Sequence, residues 1–171
     1  MNRGLDMLAA IEETCGDLDV EIEQAWRDSK EAQLPTTIPG IGKLTAVALV
    51  AELCSTERFP NVERLCSYAG LIPTVHQSGE TSYHGRLKQR DANLQLRSLL
   101  VEAARAHRRR DPKSDVSKTG QRVARRRGKG KGSVAAARKL LKVVYAVLKR
   151  GTPYTPERPS CVNGASEPRG D

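Results

Sequence analysis

The chain has 171 residues, with 29 Lys and Arg against 20 Asp and Glu (net charge +9), 38% apolar residues and only 4% aromatic ones. That length carries one domain with a real core plus arms. The scarcity of aromatics leaves the core to Leu, Val, Ile and Ala, which argues for packed helices and against a β-sandwich, and no apolar run reaches the eighteen residues of a membrane span.

Leu5, Leu8, Ile11, Cys15, Leu18, Ile22 and Trp26 recur at three- and four-residue steps, with Asp and Glu on the other faces. This predicts an amphipathic helix through about residue 30, with Gly16 weakening it modestly. Its near-heptad stripe suits either packing on its own domain or pairing with a partner helix, including a second copy through residues 5–30. The opening Met1-Asn2-Arg3-Gly4-Leu5-Asp6 turns acidic at once and lacks a signal-peptide core, so a cytoplasmic protein is expected.

Pro35 is expected to break the helical pattern before Ile38-Pro39-Gly40-Ile41-Gly42-Lys43-Leu44-Thr45-Ala46. Pro39 and Gly40 force a tight turn, Gly42 permits close approach of a ligand, and Thr45 lies in the first turn of the next helix. The free amides of such an N-terminus, with Lys43 beside them, suit a nucleic-acid phosphate. The stretch reads as a helix-hairpin-helix element, which holds the backbone with almost no sequence preference.

The helix from Lys43 to Cys54 is almost wholly apolar and is expected to be buried. Asn61, after the turn Arg58-Phe59-Pro60, caps a helix through Leu65 to Tyr68, closed by Ala69-Gly70. From Ile72 to Leu87 the pattern is short and β-prone, predicting an extended arm or small hairpin with Gly79 and Gly85 at bends. Asn93 caps a helix lined by Leu96, Leu99, Leu100 and Ala103, which Asp111-Pro112 stops. Lys113 to Lys131, poor in apolar residues, reads as loop or ligand-ordered chain. Ser133 is expected to cap a last helix with Ala137, Leu140, Leu141, Val144 and Leu148 inward, ended by Gly151.

The predicted architecture is mainly α: a helix-hairpin-helix-containing helical domain with a short β-hairpin or extended arm and an N-terminal coiled-coil-like helix. It divides into the amphipathic helix (1–33), the main domain (34–156) and a disordered tail (157–171).

Charge is sharply segregated. Residues 1–84 hold 6 Lys/Arg against 13 Asp/Glu, a balance of −7, whereas residues 85–150 hold 21 against 4, a balance of +17. Such polarity points to a polyanionic partner, the plain alternative being a solvated basic surface. Arg125-Arg126-Arg127-Gly128-Lys129-Gly130-Lys131-Gly132 is the densest cationic stretch and suits phosphates or RNA. It lacks the order of a nucleotide-binding phosphate loop. Cys15, Cys54, Cys66 and Cys161 have no zinc spacing, and Cys54 and Cys66 read as small core residues.

One family unites these pieces. Thr37-Ile38-Pro39-Gly40-Ile41-Gly42, Arg58-Phe59, Tyr68-Ala69-Gly70-Leu71-Ile72-Pro73, Gln77-Ser78-Gly79, Gly85-Arg86-Leu87, Leu96-Arg97 and Ala137-Arg138-Lys139-Leu140-Leu141 occur in its order. Over about residues 34–156 the chain resembles the C-terminal transposase domain of the DEDD insertion-sequence transposases, described as bridge-RNA-guided recombinases. It departs locally, with Arg90 in the family's Lys place and Ala92 where Gly is usual.

The resemblance implies that Ser78 is a nucleophile that attacks a DNA phosphodiester and forms a phosphoserine linkage. It implies DNA and a guide RNA as partners. It also implies a RuvC-like domain, acting in trans, whose acidic residues would bring Mg²⁺; no metal ligands are assigned in this chain. Only some 33 residues precede the hairpin, so a truncated or split form is expected. The candidate nucleic-acid contacts are Gly40, Gly42, Lys43, Thr45, Arg86, Lys88, Arg90, Arg97, Arg125, Arg126, Arg127, Lys129 and Lys131. His76, two residues from Ser78, is a candidate base. Tyr68, Tyr83, Tyr145 and Tyr154 are alternative nucleophiles in principle, with Tyr68 and Tyr145 on apolar helical faces. A non-catalytic DNA- or RNA-binding module is the rival reading.

Overall fold

A computed structural model describes residues 3–54, 58–78, 81–87 and 92–156, and of 73–78 and 81–87 the backbone alone. The predicted mainly helical architecture holds. Helix α1 (Arg3–Asp28) buries no residue, and its apolar stripe at Leu5, Leu8, Ile11 and Leu18 is exposed. Only toward its end, at Ile22 and Trp26, is it half-buried, where it leans on the next two helices.

The expected break at Pro35 is corrected. Ser29 ends α1 and caps α2 (Lys30–Thr36), accepting from the Ala32 amide at 3.1 Å, and Pro35 sits inside α2, buried. Its ring has no N–H to give the Glu31 carbonyl four residues back, and the helix ends one residue later, at Thr36. Residues 37–42 then turn the chain into α3 (Lys43–Leu53). The expectation that α3 is wholly buried is corrected too: Ala46, Leu49 and Leu53 are buried, but Leu44 is 55% exposed. Helices α1 and α2, with the helix over 94–110, cover only part of its circumference. Cys54, expected in the core, is exposed at a positive φ of 51°, whereas Cys66 is buried and its thiol is pushed up by burial.

Asn61 caps α4 (Val62–Tyr68) as predicted, accepting from the Arg64 amide at 2.9 Å. Strands β1 (Pro73–Ser78) and β2 (Thr81–Leu87) pair antiparallel, with Ser78 opposite Thr81 and His76 opposite Tyr83. Because Pro73 pairs with Leu87 and Val75 with His84, Thr74 faces both Gly85 and Arg86. That irregularity lies where Gly85 was expected to bend the arm. The Asn93 amide donates to the Tyr68 carbonyl at 2.9 Å, tying the segment after the hairpin to the helix before it.

Asn93 caps α5 (Leu94–Arg110), accepting from the Leu96 amide at 2.9 Å. The loop expected over 113–131 is corrected: Ser114 caps α6 (Asp115–Arg127), and only Gly128, at φ +92°, separates it from α7 (Lys129–Arg150). Ser133 is therefore not a cap; it lies within α7, and its hydroxyl donates back to the Lys129 carbonyl at 3.2 Å. A Cβ at Gly132 would meet Ala124 Cβ at 2.6 Å, and one at Gly120 would meet Ala136 Cβ at 2.9 Å. Four small residues thus bring α6 and α7 together, and that contact makes α6 a helix despite its composition.

The core gathers around α7. Leu140, Leu141 and Val144 are fully buried against Leu49, Leu65, Leu71, Leu96 and Leu100. Each such Leu contributes about 2 kcal/mol of transfer free energy. Tyr145 is 6% exposed and its hydroxyl donates to the Phe59 carbonyl at 3.1 Å. Glu63 on α4 pairs with Arg138 at 2.6 Å and with Lys142 on α7. No helix among the described residues is long and apolar enough to cross a membrane.

Candidate nucleic-acid interface

The turn between α2 and α3 uses its glycines unequally. Gly40 is buried at φ +94°, and a Cβ there would lie 2.6 Å from His107 Cα and 2.8 Å from the Ala106 carbonyl carbon. Its smallness therefore serves the packing of α5 against the turn. Gly42 is exposed at φ −90°, caps α3 without a side chain, and has open space where a Cβ would stand. Lys43 is already engaged: its ammonium pairs with Glu23 of α1 and stands 4.5 Å from the centre of the Trp26 ring. The Lys43 hydrogen bond, first among the causes, holds the Glu23 carboxyl below its ordinary range. Thr45 is half-buried in the first turn of α3.

His107 fastens this turn to the basic half of the molecule, and the sequence reading missed it. It is fully buried on α5; its Nδ1–H donates to the Pro39 carbonyl at 2.5 Å, and Nε2 lies 2.8 Å from the Ser114 hydroxyl. The buried Ser117 hydroxyl donates to the Asp111 carbonyl at 2.6 Å, closing the network. Its neighbours in sequence, Arg105, Arg108, Arg109 and Arg110, disguised it as part of a basic run. The signal was the series of three- and four-residue steps that leads from Leu96 through Leu100, Ala103 and Ala104 to His107.

The cationic candidates split between two places. Arg125, Arg126 and Arg127 form the last turn of α6, and Lys129 and Lys131 the first turn of α7, so five exposed cations flank one helix corner. The α6 end is electrostatically comfortable for Arg, but the α7 start sets cations beside free amides and so favours an anion. Arg97 stands apart near the start of α5, half-buried, with one guanidinium nitrogen buried and without a partner among the described residues.

Ser78 closes β1 and Arg86 lies on β2, but their side chains, with those of His76 and Tyr83, are outside the described residues, as are Gly79, Lys88 and Arg90. At the foot of this hairpin, Arg58 lies 5.0 Å from the Tyr68 ring centre and 5.3 Å from that of Phe59, and the Tyr68 hydroxyl donates to Glu52 at 3.0 Å. Tyr68 and Tyr145 are committed to packing as expected, while Tyr154 is half-buried with its phenol pushed up by burial, then by Asp111 and Asp115. Among the described residues no three His, Cys, Asp or Glu side chains converge as metal ligands.

A sequence model of the transposase IS116/IS110/IS902 family matches residues 32–118. The chain is 33% identical over 159 residues to the 43.6 kDa protein of insertion element IS110 from Streptomyces coelicolor, covering 93% of this chain and 39% of that protein. It is 31% identical over 148 residues to the transposase for insertion sequence element IS1111A from Coxiella burnetii, covering 84% and 40% respectively. It is 34% identical over 128 residues to the pilin gene-inverting protein of Moraxella bovis, covering 72% and 38%. The chain thus spans about two-fifths of the length of these relatives.

Proposed function

The chain belongs to the transposase IS116/IS110/IS902 family, and on that premise we propose that it binds DNA and supplies the serine half of a composite active site for DNA transposition or recombination. The observation that carries the reading is the family match over residues 32–118, which takes in Ser78 at the end of β1. Separately, the basic half of the chain gathers five exposed cations at the α6–α7 corner. Cations neutralise a pentacoordinate phosphorus transition state and hold the backbone in register.

In the proposed step, Ser78 Oγ bonds to phosphorus as the ester bond to the departing sugar oxygen breaks. The serine proton passes to a base, for which His76 is the nearest candidate in sequence, and the departing oxygen takes up a proton. The phosphoserine ester keeps the bond energy for rejoining. The α2–turn–α3 segment acts as a helix-hairpin-helix element on the DNA backbone, with Gly42 and the α3 amides as its contacts. A RuvC-like domain in trans supplies Mg²⁺, and a guide RNA selects the site. Residues 5–30 bring a second copy or that partner alongside through the exposed stripe of α1.

The test is a suicide substrate: nicked element-end DNA incubated with the chain, with and without a full-length relative, guide RNA and Mg²⁺, then resolved on a denaturing gel. A covalent adduct is expected that disappears in Ser78→Ala while DNA binding persists. An adduct that survives Ser78→Ala would remove the serine from the mechanism. The second reading is a non-catalytic nucleic-acid-binding module, favoured by the five exposed cations at the α6–α7 corner. It predicts binding with no adduct under any of these conditions.

A further inference from the structure

We propose that the cleft between α5, the end of α6 and the start of α7 is a clamp for a phosphodiester backbone, with Arg105, Arg108, Arg125 and Lys129 as its cations. The proposal deepens the nucleic-acid reading and rests on it. The cleft measures about 590 Å³, and these four cations line it together with Gln121 and Ser133. No carboxylate is among its lining residues. Arg105 makes one exposed ion pair, to Glu102 at 3.2 Å, of the weak kind that solvent screens. Arg108, Arg125 and Lys129 make none among the described residues.

Arg108 supplies a second, independent sign. Its Nε is buried with no hydrogen-bond partner among the described residues, and its Cδ lies 3.6 Å from where a Cβ at Gly120 would stand. Packing against α6 therefore holds the guanidinium at the cleft with a donor unspent, and a buried donor without an acceptor is costly. A phosphate in the cleft is met instead by the terminal N–H groups of the same guanidinium. The backbone contributes as well. Gly128 offers no side-chain cap to α7, and the first bonded amide of the 22-residue helix is that of Gly132, donating to the Gly128 carbonyl at 3.1 Å. The amide of Gly130, a cleft residue, is thus free for an anion.

Aromatic side chains are missing from the lining, so a nucleobase finds no stacking surface there. Guanidinium groups and free amides in an open, unstacked cleft suit the phosphodiester chain rather than a nucleotide held by its base. The clamp also divides the helix corner. Arg125 and Lys129 face the cleft, while Arg126, Arg127 and Lys131 are absent from its lining. Arg105, Arg108, Gln121 and Ser133 join them as contacts that the linear pattern does not mark out.

The experiment is fluorescence anisotropy of the full chain against a labelled random-sequence duplex DNA and a labelled random-sequence RNA, over a salt series, with inorganic phosphate as competitor. Arg108→Gln with Arg125→Gln is compared with Arg64→Gln with Arg150→Gln, which removes equal charge from exposed sites elsewhere. The cleft pair is expected to lose at least tenfold in affinity and to lower the salt slope by about 1.8, the value for two lost phosphate contacts. The comparison pair should stay within twofold. Arg125→Gln with Lys129→Gln, both exposed, repeats the test if the Arg108 variant loses its helical circular dichroism. Loss on DNA, on RNA or on both supports the clamp and identifies its backbone. Wild-type binding with cleft and comparison pairs alike overturns the clamp and leaves the nucleic-acid reading standing. Binding of inorganic phosphate alone, or no wild-type binding to either nucleic acid, overturns both.

Discussion

Replacing Gly40 by Ala should damage this molecule far more than the size of one methyl group suggests. At φ +94° the backbone is in a region that L side chains rarely adopt, with a strain of about 1–3 kcal/mol. The new Cβ would stand 2.6 Å from His107 Cα and 2.8 Å from the Ala106 carbonyl carbon, where carbon atoms normally rest at about 3.5–4.0 Å. Relief requires α5 and the turn to separate by roughly 1 Å, an overpacking cost of about 1–3 kcal/mol. The same movement stretches the His107–Pro39 hydrogen bond, now 2.5 Å. The two costs together come to about 2–6 kcal/mol, a large share of the 5–15 kcal/mol typical of a folded domain. For a chain of this size that lowers the thermal midpoint by roughly 4–24 °C. Thermal and urea unfolding followed by circular dichroism measure it directly. Gly42→Ala is the control: its φ is −90° and nothing lies within 4 Å of the added carbon, so a loss of about 1 kcal/mol or less is expected from the poorer cap. Should Gly40→Ala unfold within about 0.5 kcal/mol of wild type, the turn does not pack against α5 as described.

Tyr145→Phe removes one hydroxyl and leaves the Phe59 carbonyl without its donor, so urea unfolding should report a loss of about 1–2 kcal/mol with no change in denaturant slope. Glu63→Gln tests the α4–α7 ion pairs: Lys142, then Arg138, hold the Glu63 carboxyl below its ordinary value of 4.5. A carboxyl depressed in the folded state contributes stability above its unfolded pKa and loses it as pH falls through the folded one. The stability difference between wild type and Glu63→Gln should therefore be steady above pH 4.5, shrink in acid below it, and shrink again in high salt because the pair is half-exposed. A difference that persists unchanged at the acid end would mean the carboxylate charge plays no part.

What the sequence made legible was local. Asn61, Asn93 and Gly151 were readable as helix ends because a cap is made by a residue with its immediate neighbours. The small hairpin was readable for the same reason. Helix α6 was not, because its own residues argue weakly for a helix and the decisive contact comes from Gly120 and Ala124 meeting Gly132 and Ala136 of the next element. Ser133 misled by being a good cap in the wrong place. The candidate site shows a similar division. The basic corner could be read as a run of letters, whereas the Lys43–Glu23 pair spans twenty residues and depends on α1 folding back beside α3. Residues Arg105 and Arg108 became neighbours of Arg125 and Lys129 only through the close approach of three helices.

The central position of α7 has a consequence for how the molecule comes into being. Leu140, Leu141 and Val144, which lie at the heart of the core, belong to the helix that leaves the ribosome last among the described elements. Until it emerges, Leu65, Leu96 and Leu100 lack the surface that covers them. A nascent chain halted at residue 118, where the family match ends within α6, would display those leucines beside an unneutralised run of arginines. Such a chain is sticky toward both apolar and anionic partners. Synthesis of this segment is therefore a period of exposure that ends only when α7 closes the core.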